Sequence, residues 1–234
     1  TDRRIYPVTE VNVIREGAKM KRIVLIALLL GLSASLSASF ALAAEKKVEL
    51  TDQCRKHVVA YEYPEAIEAC GQAIKLDVKH ADAYFWRGVS LVATRKYEEA
   101  IKDFDVVIGL NPSDVQALSN RGLVYRRLTQ YDQALADLNK ASEVDPNYAE
   151  AWLSRGTVFA QLDQWNDAVL DYSRGIELAP QNHTAYHNRG IAYEQLGNRE
   201  AALSDFRTFL RLAPPSDLLR PSVEHRIKTL AEAS

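Results

Sequence analysis

From residue 47 to residue 216 the chain alternates between apolar blocks at helical spacing and short polar breaks. Within a block, apolar side chains recur three or four positions apart, the stripe of an amphipathic helix. Polar triplets such as Thr94-Arg95-Lys96 join the two blocks of a pair, and proline follows the second block in four of the pairs. Proline donates no backbone bond and disfavours helix in the residue before it, so each pair is predicted to be two antiparallel helices with a firm stop. A final helix is predicted from Pro221 to Ala233, its outer face polar through Glu224, Arg226, Lys228 and Glu232.

The pairs recur at a fixed period. Residues 81–114, 115–148, 149–182 and 183–216 align as 34-residue units without a gap. Position 8 is Gly88, Gly122, Gly156 and Gly190, and position 20 is Ala100, Ala134, Ala168 and Ala202. Position 24 is Phe104, Leu138, Tyr172 and Phe206, and position 32 is Pro112, Pro146, Pro180 and Pro214. Gly at 8 is expected to face Ala at 20 and let the two helices approach. Large residues at 4, 11 and 24 are expected to fill the space towards the next unit. A weaker copy at 47–80 has Cys54 at position 8, Cys70 at position 24 and Val78 in place of proline.

Period and frame together resemble the tetratricopeptide repeat family. The resemblance covers 47–216 and implies an all-α fold: a right-handed superhelical solenoid of five helix-turn-helix repeats (47–80, 81–114, 115–148, 149–182, 183–216). The array would occupy 44–216, with a capping helix in 217–234 covering its last interface. It implies a non-catalytic scaffold or adaptor whose first helices line a concave groove for a peptide or protein partner. Carried onto this sequence, the groove would present Phe85, Trp86 and Val89, then Asn120, Leu123, Arg126 and Arg127, then Ser154, His187 and Asn188. Buried aromatics dominate binding energy, which makes Phe85 and Trp86 the expected anchors. The alternative is that these two pack onto the first repeat. A family branch that clamps terminal carboxylates with Lys at 5 and Asn at 9 is excluded, since neither residue is present. Self-association through the terminal repeats, giving a homo-oligomer, is the competing function.

Position 7 departs from the family frame, where Leu is usual. It holds Arg87, Arg121, Arg155 and Arg189, and position 23 of the same repeats holds Asp103, Asp137, Asp171 and Asp205. The first repeat has neither charge, with Gln53 and Ala69 in these places. Opposite charges that come and go together predict a structural ladder of Arg–Asp pairs rather than a row of cations for an acidic ligand.

The N-terminal region reads differently. Lys21 and Arg22 precede an unbroken apolar run, Ile23 to Leu30, then a Ser- and Ala-rich stretch ending in Ala41-Leu42-Ala43. This is the order of a secretory signal peptide, with residues 20–43 removed by cleavage after Ala43. The apolar run is too short for the about 20 residues of a membrane-spanning helix. Met20 would then be the start, and residues 1–19 an upstream extension. An exported, periplasmic protein of the cell envelope is expected.

Composition narrows the functions further. The 234 residues carry 29 Lys and Arg against 31 Asp and Glu. Loss of residues 1–43 removes six basic and three acidic residues and leaves a net charge of −5. That excludes a broad nucleic-acid footprint and a polybasic membrane patch. Cys54 and Cys70 are the only cysteines, and in an oxidising compartment such a pair tends to form a disulfide. Positions 8 and 24 are expected to lie about one helical turn out of opposition, which keeps buried free thiols as the alternative. No nucleophile, phosphate-loop, dinucleotide or zinc-protease motif is present, so neither enzyme activity nor a cofactor is expected. His183 and His187 share a helix face but are too few to hold a metal. They are expected to be one surface and one groove-facing histidine.

Overall fold

The computed structural model describes residues 34–232, with side-chain environments from residue 41. Among these residues it has eleven α-helices and no strand. The first hairpin is α1 (Ala34–Val59) and α2 (Tyr63–Leu76), the second α3 (Ala81–Ala93) and α4 (Tyr97–Leu110). The third is α5 (Val115–Arg127) and α6 (Tyr131–Val144), the fourth α7 (Ala149–Gln161) and α8 (Trp165–Leu178). The fifth is α9 (His183–Gln195) and α10 (Arg199–Leu212), and α11 (Arg220–Glu232) closes the array. Each helix packs on its hairpin partner and on the next helix in the chain, the contact pattern of a solenoid.

The first helix is longer than the repeat frame requires. It has 26 residues, twice the 13 of α3, and runs unbroken through Ala43. The expected extension at 1–19 and most of the expected signal segment lie outside the described residues. No described helix is long and apolar enough to cross a membrane.

The turn inside every hairpin is built the same way. Position 15 takes a left-handed backbone at Tyr61, Arg95, Thr129, Asp163 and Gly197, with φ between 57° and 72°. In the second hairpin the Arg95 amide then reaches the Val92 carbonyl, and the Lys96 amide reaches that of Leu91. These bonds satisfy carbonyls that the ended helix would leave open. Only the last turn uses glycine, the residue that adopts this conformation without steric cost.

Within a hairpin, position 8 faces position 24 rather than position 20, which corrects the sequence expectation. A Cβ added at Gly88 would stand 2.9 Å from the Phe104 ring, and one at Gly190 would stand 2.7 Å from the Phe206 ring. Glycine is therefore needed to admit a large side chain from the opposite helix. Phe104, Leu138 and Phe206 are fully buried there. Each contributes roughly 1.5–3 kcal/mol of burial. In the third hairpin the Ala134 carbonyl lies beside Leu138, 3.3 Å from a Cβ added at Gly122.

The same geometry brings Cys54 against Cys70. Their Cα atoms are 5.3 Å apart and the pair is bonded as a disulfide, both residues fully buried. The expected offset of one turn is absent because 8 and 24 are directly opposed.

At the C-terminal end, Val223 of α11 buries itself against Phe206 and Phe209. Arg220 donates to the carbonyls of Leu210 and Ala213, and Arg226 pairs with Glu194. His183 is 4% exposed and its Nε2 lies 3.0 Å from Asp217. It is thus not the expected surface histidine: the loop before α11 folds over it.

Candidate ligand groove on the first-helix face

The first helices of neighbouring hairpins touch one another, α1 with α3, α3 with α5, α5 with α7 and α7 with α9. Among the described residues no pair of second helices meets to the same degree. Curvature therefore places the first helices on the inner side.

Behind that side runs the Arg–Asp ladder. Arg87 donates from Nε and Nη2 to both oxygens of Asp103, each at 2.7 Å. Arg121 with Asp137, Arg155 with Asp171 and Arg189 with Asp205 repeat this two-bond geometry. The remaining nitrogen, Nη1, turns back to the preceding hairpin. It meets Asp105 from Arg121, Asn139 from Arg155 and Ser173 from Arg189. These acceptors all occupy position 25, a role the sequence reading missed. In the first repeat position 25 is Gly71, and Arg87 Nη1 passes 3.8 Å from where a Cβ would be.

Aromatic rings at positions 4 and 11 flank the cations. Arg155 lies 4.7 Å from the Trp152 ring centre, and Arg189 lies between Tyr186 and Tyr193. Bonds to Asp103 and Asp205 hold Arg87 and Arg189 above the usual guanidinium value, against burial. Burial pushes the Asp103 and Asp171 carboxyls up, against the pull of their arginines. Two charge-assisted bonds to a guanidinium favour the charged carboxylate against that burial at Asp103 and Asp171. The ladder is thus internally satisfied and acts as scaffold.

An open cavity of about 220 Å³ lies on the first-helix face across the third, fourth and fifth hairpins. Arg126, Ser154 and Asn188, three of the residues expected in the groove, line it together. Thr157, Tyr172, Glu150 and Asn182 join the lining, with Leu153 and Ala185 as apolar patches. The Tyr172 hydroxyl sits 3.2 Å from Thr157 Oγ1, and burial pushes its pKa up. It remains a neutral phenol. The site thus offers hydroxyls, amides, one cation and one carboxylate over a small apolar floor. Such a lining can bond the alternating N–H and C=O groups of an extended peptide.

Other expected groove residues fall elsewhere. Phe85 and Val89 are 8% and 1% exposed, packed in the core formed with the first hairpin. This corrects their assignment to the groove wall: both are buried, and the Phe85 ring lies 6.1 Å from that of Phe104 on the second helix of its own hairpin. Trp86 stands edge-on to Phe85 and is only partly buried. Asn120 is buried and its Nδ2 donates to the Gln116 carbonyl of its own helix. Leu123 is half-buried and Arg127 exposed. His187 borders the cavity through Asn188, 3.2 Å from its Nδ1, and leans on Phe206 and Phe209. Among the described residues no group of three His, Cys, Asp or Glu side chains is placed to hold a metal.

Models of the family described as TPR repeat or tetratricopeptide repeat match residues 57–115, 124–163, 156–197 and 183–216. A comparison with curated proteins finds no significant match. Solved structures share the fold. MamA from Desulfovibrio magneticus RS-1 is 19% identical with a TM-score of 0.64, covering 74% of this chain and 97% of its own. TTC0263, a thermophilic TPR protein in Thermus thermophilus, is 18% identical with a TM-score of 0.63, covering 79% and 98%. YrrB, described as a TPR protein with an unusual peptide-binding site, is 24% identical with a TM-score of 0.59, covering 76% and 90%. Matched repeats cover most of the five-hairpin array, and the chain belongs to the tetratricopeptide repeat family.

Proposed function

We propose that this protein is a non-catalytic interaction scaffold that holds an extended peptide segment of a partner protein in the cavity beside Arg126, Ser154 and Asn188. The observation that carries this reading is the lining itself: hydroxyl and amide groups of the fourth and fifth hairpins converge with the Arg126 guanidinium of the third on one open site. The peptide-binding site described for YrrB, a protein of the same fold, supports it. We place the scaffold in the cell envelope, exported and cleaved after Ala43. The charged, apolar and small-residue order of 20–43 supports export, as does a disulfide, which persists in oxidising compartments. Protein recovered from cells then begins at Ala44.

The test is selection of random displayed peptides on the full chain, beside Ser154→Trp, which fills the cavity, and Asn188→Ala. Peptides held by the parent and lost on Ser154→Trp, at unchanged helicity, are the expected result. Peptides held equally by both proteins would put the site elsewhere. A second reading, self-association, draws on Val59, Tyr61, Leu76 and Val78, which leave apolar surface exposed on the first hairpin. A mass in solution that rises with concentration would favour it.

A further inference from the structure

The first hairpin shares the left-handed turn of the other four but lacks their Arg–Asp rung and closing proline. Gln53 stands where the ladder has Arg, Ala69 where it has Asp, and Gly71 where it has the backward acceptor. Val78 replaces the closing proline, and the glycine-to-large-ring contact is replaced by Cys54 against Cys70. What remains is the disulfide, the Lys47–Asp77 ion pair at 2.8 Å, the Thr51–His80 bond at 2.8 Å, and apolar burial through Leu50, Val58 and Ile74. Both α1 and α2 pack on α3, so the first hairpin covers one side of that helix.

We propose that the Cys54–Cys70 bond is a redox latch on the first hairpin, and that its reduction frees α1 and α2 from the side of α3 on which they pack. The step is thiol–disulfide exchange. A thiolate of a dithiol reductant attacks one sulfur, forms a mixed disulfide and expels the other cysteine as a thiolate, which takes a proton from water. The second thiol of the reductant then displaces the remaining cysteine. Two electrons come from the dithiol, which leaves as its own disulfide. Both cysteines are fully buried, so attack requires prior local opening of the hairpin. Once reduced, two thiols cannot stand as close as two bonded sulfurs, and the packed site gives them no room to separate. The hairpin has no ladder rung to hold it while they do.

Hydrogen exchange read by mass spectrometry on the full chain, oxidised and then reduced, tests this. Amide protection in α1 and α2 is expected to fall about a hundredfold on reduction, the order that closing a loop of roughly 15 residues supplies. Protection in α5 to α10 should stay unchanged. The variant Cys54→Gly with Cys70→Phe installs the contact of the second hairpin. It should keep α1 and α2 protected and ignore the reductant. Equal protection of α1 and α2 in both redox states would overturn the latch. So would a loss spread evenly through all the hairpins, or a Gly–Phe variant as labile as the reduced parent.

Discussion

Arg155 faces Asp171 across the fourth hairpin through bonds of 2.7 and 2.8 Å, and turns its third nitrogen to Asn139 on the hairpin before. One side chain therefore ties three helices. The Asp171 carboxylate is almost fully buried, while the guanidinium is 16% exposed. Removing water from such a pair costs about as much as the attraction returns. The pair's contribution is to fix how the two hairpins sit, and its loss is costly chiefly because one charge is left alone.

That asymmetry is measurable. Arg155→Leu should destabilise by about 3 kcal/mol, because Asp171 is then buried and unpaired. Asp171→Leu should cost a similar amount. The double variant should lose less than the two together by at least about 1 kcal/mol. Urea unfolding followed by helicity gives all three values. Losses that simply add would mean the two residues act independently.

The missing rung at Gly71 can be supplied. Space is open there, with Arg87 Nη1 the nearest neighbour of a new Cβ at 3.8 Å. Gly71→Asp copies Asp105, which receives Arg121 in the third hairpin. Gly71→Ala should gain about 1 kcal/mol from helix propensity alone. Gly71→Asp should exceed that gain when Arg87 is present and fall below it in an Arg87→Leu background. Thermal unfolding of the four variants decides, and an aspartate indifferent to Arg87 would refute the rung.

His187 predicts a pH dependence. Burial holds its pKa below the ordinary 6.5, opposed by its bond to Asn188; the Arg226 charge adds to the lowering and Asp217 opposes it. The unfolded chain therefore binds a proton at a pH where the folded chain does not. Stability is full above about pH 6.5 and falls as the pH drops through the folded value. Melting temperature should decline between pH 7 and pH 5, and His187→Gln should flatten part of that slope. An unchanged slope in the variant would assign the effect to other groups.

Much of the architecture was legible because a period of 34 leaves one residue type at one place four times. The Arg and Asp positions could be paired because both vanish together at Gln53 and Ala69. The backward acceptors Asp105, Asn139 and Ser173 escaped notice because carboxylate, amide and hydroxyl share no letter, although each accepts the same bond. Phe85 and Val89 were misplaced because a repeat frame assigns a face to each position without saying how far large neighbours such as Phe104 close over it. His183 was misread because its partner, Asp217, lies one full period later in a loop outside the repeats. The cavity residue Tyr172 was hidden for another reason: it belongs to a second helix, and its hydroxyl reaches the inner face past Gly156.

Arg121, Arg155 and Arg189 each reach sixteen residues forward and sixteen back, so the bonds repeat with the chain rather than with any one hairpin. Cutting out residues 115–148 as a unit would bring Asp105 to the place Asn139 holds beside Arg155, one acceptor exchanged for another. The middle of this molecule can thus be lengthened or shortened in whole units, like beads on a string with matching clasps. Its first bead is different. It closes on itself through sulfur and offers the next arginine nothing to grasp, so the string can be edited everywhere except at the end where it begins.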